Sequence, residues 1–161
     1  MSKISLVEFL MMVITSLLLG WVAYDDFRHR TIRVILLPII FILLAAHRLI
    51  DELPIFLVIS FFLNIAYIAL VALLMIGYLF LRYKIQWLDI SSFIGLGDLL
   101  FVVSVSVWFD IEMFILFTTG SLMVALLGSF IQKDSRNTVP VAGYQSLCFM
   151  VFYIFTTMRA W

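Results

Sequence analysis

Residues 53–81 carry no charged side chain. About 20 apolar residues suffice for a helix to cross a hydrocarbon core of about 30 Å, and only a helix or a closed barrel satisfies its backbone there. A run this long therefore reads as a membrane-spanning helix that tilts or projects past the bilayer. Comparable runs occupy residues 4–24, 113–131 and 139–158, and shorter ones residues 34–46 and 99–109. Residues 32–50 cross as a second span if Arg33 and Arg48 snorkel to opposite interfaces, with a kink expected at Pro38. The first run lacks a small-residue cleavage site and is followed by more membrane, so it reads as a retained span and not a signal peptide. Of 161 residues, 65% are hydrophobic and only 12% charged, so no soluble domain or linker is expected beside these runs. The expected fold is all-α: a polytopic membrane protein, a bundle of six transmembrane helices in a single domain over residues 1–161, in contact with the lipid bilayer.

Ten basic and ten acidic residues cancel, leaving no electrostatic footprint for nucleic acid. The single cysteine, Cys148, excludes an internal disulfide and a cysteine-clustered metal site, and it reads as a packing residue. Loops after the odd-numbered spans hold Arg28, Arg30, Arg33, Arg82, Lys84, Lys133 and Arg136, against Lys3, Arg48 and Arg159 on the other side. The positive-inside bias then makes the former face cytoplasmic and puts both termini on the extracytoplasmic side.

Within this frame one stretch stands apart. Gly95-Leu96-Gly97-Asp98 places a carboxylate at the edge of an apolar run, and there is no other charge between Asp89 and Asp110. An intramembrane acid costs roughly 2.5–3.5 kcal/mol at mid-helix and marks a functional site by default. The two glycines allow another backbone to come close or the helix to begin irregularly. Asp26 ends the first span and Asp98 begins the fourth. Two crossings separate them, so both acids emerge at the same membrane face whichever way the protein is inserted. Two carboxylates held close share a proton: the ionised member activates water and the protonated one polarises a peptide carbonyl, the chemistry of aspartic proteolysis. Parity permits this pair without establishing contact. Asp25 competes for the first position, since neighbours on a helix point about 100° apart and only one can face Asp98.

The segment Asp26-Phe27-Arg28-His29-Arg30-Thr31-Ile32, followed by Gly95-Leu96-Gly97-Asp98 and then Val139-Pro140-Val141-Ala142-Gly143, resembles the type IV prepilin peptidases. These are intramembrane aspartyl proteases with a Gly-x-Gly-Asp motif, an Asp-hydrophobic-Arg-x-Arg-x-Ile-Pro-Asn segment and a proline near the start of the last helix. The resemblance follows helix order along nearly the whole chain, and its motif spacing selects Asp26 over Asp25. It implies Asp26 and Asp98 as the catalytic pair, with Gly95, Gly97, Arg28, Arg30 and Pro140 shaping the site. It also implies removal of short basic leaders from prepilin-like membrane precursors at the cytoplasmic face of the inner membrane, with water as co-reactant and neither metal nor cofactor. The first span begins almost at Met1 and no cysteine cluster is present, so a peptidase-only form without a methyltransferase domain is expected.

Two departures are visible. Arg33-Val34 stands where the family has Pro-Asn, and Leu100 stands where it has Lys, removing an ammonium that would favour the ionised acid. Two other readings remain: a catalytically silent relative that holds pilin-like clients, and a six-span transport component such as a substrate-binding membrane subunit. Asp25, Asp89 and Asp134 read as solvated loop acids. Asn64, Ser104, Ser106 and Gln145 read as interhelical hydrogen-bond partners. His29 and His47 fall on opposite faces and cannot jointly hold a metal.

Overall fold

The structure, a computed structural model, describes residues 6–83, 95–131 and 140–159. These form six helices: α1 (Leu6–His29), α2 (Leu36–Asp51), α3 (Pro54–Tyr83), α4 (Leu96–Ser106), α5 (Ile111–Ile131) and α6 (Val141–Arg159). No strand occurs among the described residues. Four helices, α1, α3, α5 and α6, are long and apolar enough to cross a membrane, and α2 and α4 are shorter apolar helices. The fold is thus an all-helical bundle of a multi-pass membrane protein. Lys3, Lys84, Lys133, Arg136, Asp89 and Asp134 lie outside the described residues, as does the side chain of Arg82.

Turn chemistry explains the helix boundaries. Pro54 opens α3, where its missing N–H belongs to a donor left free in any first turn. Pro38 falls in the first turn of α2 for the same reason, so the expected kink is absent and α2 runs unbroken to Asp51. Helix α1 ends in a left-handed cap: Arg30 adopts φ 56° and donates its N–H to the Asp26 carbonyl at 3.0 Å. That position usually takes glycine, and an arginine there costs roughly 1–2 kcal/mol.

The longest interface joins α1 to α6, which run antiparallel, with the start of α6 beside the end of α1. Helix α4 packs among α2, α3 and α6, and α5 lies against α6 and α3. Leu19 and Val22, Ile40 and Leu44, Phe101 and Val105, and Phe149 and Tyr153 meet in the core. Lipid tails are as apolar as these side chains, so the bundle is held by close packing and internal hydrogen bonds, not by exclusion from water. Phe109 supplies much of that packing, stacked on Phe117 with centroids 4.8 Å apart and tilted against Phe149 and Phe152. Leu63, Leu70, Leu73 and Leu74 of α3 point outward, as residues facing acyl chains do.

Opposite the Asp26 end, a polar network closes the bundle. Arg48 is 5% exposed: it bonds the Val107 carbonyl at 3.1 Å, Glu52 at 2.7 Å and Asp110 at 2.5 Å. It is an internal anchor and does not snorkel, because its guanidinium finds three acceptors from α2 and the α4–α5 turn within the bundle. Asn64 donates from α3 to the carbonyls of Ser106, the last residue of α4, and Phe109 in the turn that follows. His47 and the Tyr153 hydroxyl meet at 2.5 Å in the same layer.

Candidate functional site

The geometry starts from the first turn of α6. Pro140 precedes the helix and its carbonyl accepts the Tyr144 N–H at 3.2 Å, so the amides of Val141, Ala142 and Gly143 have no partner within the helix. Such amides, together with the helix dipole, favour a negative group in front of them. Two acids from distant parts of the chain take up successive donors: Gly143 N–H bonds Asp26 Oδ2 at 2.6 Å, and Ala142 N–H bonds Asp98 Oδ1 at 3.2 Å. Successive amide nitrogens lie about 3 Å apart, so the two bonded oxygens are within about 9 Å of each other. The Asp26 carboxylate acts electrostatically on Asp98, and the positive charge of Arg30 acts on Asp26. Asp26 is buried and Asp98 partly so.

Three glycines make room for the acids. Gly95 precedes α4 and Asp98 sits in that helix's first turn, folded back so closely that a β-carbon on Gly95 would lie 2.8 Å from Asp98 Oδ2. Asp98 is therefore at the N-terminal ends of α4 and α6 at once. A β-carbon on Gly97 would lie 3.1 Å from Ile32 Cδ1, so the motif after α1 packs directly on the motif that opens α4. On Gly143 a β-carbon would stand 3.1 Å from both Asp26 Oδ2 and the Phe27 ring. The structure thus brings together Asp26, Asp98, Gly95, Gly97, Arg30 and the turn after Pro140. Arg28 lies elsewhere, exposed on the outer side of α1, bonded to the Tyr24 hydroxyl and over its ring.

Two expectations are corrected. Asp25 is not a solvated loop acid: it is 3% exposed, with the Trp21 indole N–H at 3.2 Å and Arg33 Nε at 3.1 Å. Arg33, the departure from the family's proline, supplies this partner, and its guanidinium also covers the Trp21 ring. The hydroxyls of Ser104 and Ser106 do not reach another helix. They bond the Leu100 and Val103 carbonyls of their own, because a serine inside a helix can fold back on the preceding turn. Sequence reasoning passed over the part played by the α6 amides and by Gly143. A glycine three residues after a proline at a helix start was the available signal.

A cavity of about 300 Å³ opens beside Asp98, between α3, α4, α5 and α6. Val71, Met75, Val102 and Leu122 give it an apolar wall, and Asp98 and Gln145 are among its polar groups. Gln145 is 2% exposed, and its Oε1 has no hydrogen-bond partner among the described residues. It is thus not the interhelical partner its sequence position suggested. Also among the described residues, no group of three or more His, Cys, Asp or Glu is placed to hold a metal ion. His29 and His47 lie at opposite ends of the bundle, at the C-terminal ends of the antiparallel pair α1 and α2. Comparison with protein-family models, with curated proteins and with solved structures returns no match to this chain.

Proposed function

We propose that this protein is an intramembrane aspartic endopeptidase of the prepilin leader type, with Asp26 and Asp98 as its water-activating pair. The observation that carries the reading is the convergence of the two acids on adjacent amides, Gly143 and Ala142, beside a cavity of about 300 Å³. Two carboxylates in one site hold one proton between them. The ionised member takes a proton from water as its oxygen attacks the scissile carbonyl, and the protonated member gives its proton to the carbonyl oxygen. Collapse of the resulting gem-diol passes a proton to the departing amine. The products are a free carboxylate on the leader and a new N-terminus on the mature segment.

The substrates of this reading are precursors with a short basic leader ahead of an apolar helix. The leader stays at the cytoplasmic face and the helix lies in the membrane beside the cavity. In this reading the host membrane is the inner membrane and both termini are extracytoplasmic. Co-expression with candidate short-leader precursors from the same genome tests the proposal. A leader-sized mass loss is expected with the wild type and not with Asp26→Asn or Asp98→Asn, and equal processing by all three sinks the dyad.

The capping bonds favour one other reading, a catalytically silent relative in which the acids serve only to close the start of α6. Asparagine caps a helix about as well as aspartate, so that reading expects client retention to be the same in wild type and Asn variants, with no mass loss in any.

A further inference from the structure

Hydrolysis at the acids leaves a buried carboxamide of the cavity unused. Gln145 is four residues beyond Val141 and three beyond Ala142, the residue whose amide holds Asp98. It therefore lies on the cavity side of α6, about 4.5 Å further along the axis, away from the acid end. Its Oε1 is buried without a partner among the described residues. An unmatched buried acceptor is costly, and native structures retain one where something else completes it. Of the other polar side chains lining the cavity, the Thr118 hydroxyl bonds carbonyls of its own helix and Asp98 bonds Ala142, while Tyr67 and Thr119 carry hydroxyls that can donate as well as accept.

A helical membrane segment must unwind around the bond to be cut, which frees backbone N–H groups. With little water present, each freed group needs an acceptor from the enzyme. An extended chain advances about 3.3 Å per residue, so one turn along α6 from the Asp98 anchor corresponds to one or two residues of substrate. We infer that the Gln145 carboxamide is a substrate-recognition contact of this cavity: its Oε1 accepts a main-chain N–H one or two residues to the membrane side of the scissile bond. This rests on the peptidase reading above, and it assigns the cavity to the unwound start of the mature segment.

The test uses full-length protein in lipid nanodiscs and a synthetic precursor with a basic leader, a glycine and an apolar segment. In companion substrates the amide one or two residues past the cut is replaced by an ester, which removes the N–H and also weakens the attached carbonyl as an acceptor, so the comparison of wild type with Gln145→Leu isolates the N–H contact. Wild type should lose about tenfold in kcat/KM on one of the ester substrates. Gln145→Leu should show that loss on the all-amide substrate and no additional loss on the ester. Its melting temperature should equal or exceed that of wild type, since a buried unmatched acceptor has been removed. If the ester penalty is the same in wild type and Gln145→Leu, or absent in wild type, the Gln145 contact is overturned while the peptidase reading stands. If wild type releases no leader from the all-amide substrate, both fall together.

Discussion

The two ends of the bundle use their polar side chains differently. At one end Arg48 is clasped by Val107, Glu52 and Asp110, and the Asn64 amide donates to two carbonyls, although its Oδ1 has no partner among the described residues. That end is densely bonded. At the other end Asp26 and Asp98 are each held by one backbone amide, with glycines where side chains would crowd them and a cavity alongside. A carboxylate oxygen can accept more than one hydrogen bond, so these acids keep capacity in reserve. The contrast teaches that a polar group's share in stability and its share in chemistry can be inversely related: the most fully bonded groups hold the fold, and the sparsely bonded ones remain able to react.

Substitutions at each end test this contrast. The largest loss of stability is expected from Arg48→Leu, about 3 kcal/mol, because three contacts go together. Unfolding in detergent measures it, and a loss below about 1 kcal/mol would break the comparison at its densely bonded end. Gly143→Ala comes next at about 2 kcal/mol, since its methyl would press on the Phe27 ring and on Asp26; leader release should fall with it. Gly95→Ala should cost about 1 kcal/mol, alanine being a poor helix cap, while the displaced Asp98 carboxylate lowers turnover more than stability. The smallest stability effect is expected for Asp26→Asn and Asp98→Asn, about 0.5 kcal/mol or less, because asparagine still accepts the α6 amides. Those two variants should nonetheless show the greatest loss of processing, at least about 100-fold. A mass-spectrometric count of released leader against melting temperature across the five sites should therefore give opposite rankings.

Much of this arrangement can be read from the chain before any coordinates. The apolar runs predict six helices in the right order, and the two-crossing parity puts Asp26 and Asp98 at one end. What the sequence does not reveal is which side of each helix faces inward. Helices such as α5 are apolar all round, since membrane and core favour the same residues, so periodicity carries little information there. Asp25 shows the consequence. As one of two adjacent acids at a span's end it looks solvent-facing, yet Arg33, eight positions on, turns back to pair with it through a cap that only the fold defines. Arg48 misleads in the opposite direction, because an arginine near a helix end snorkels unless acceptors wait inside, and those acceptors come from a turn some sixty residues later. The α6 amides are harder still to foresee. Every helix has such donors, and the glycine three residues after Pro140 is a faint local mark of which start will receive two distant acids.

That shared start has an implication for how the pair is spaced. The interval between the acids is fixed by one step of a single helix and does not accumulate the tolerances of two separately mounted arms. Any change that rotates the beginning of α6 against its body, such as a residue inserted between Gly143 and Tyr144, would turn both donors by about 100° and release the two carboxylates in the same stroke. The two acids have one gauge between them, and they keep their alignment or lose it together.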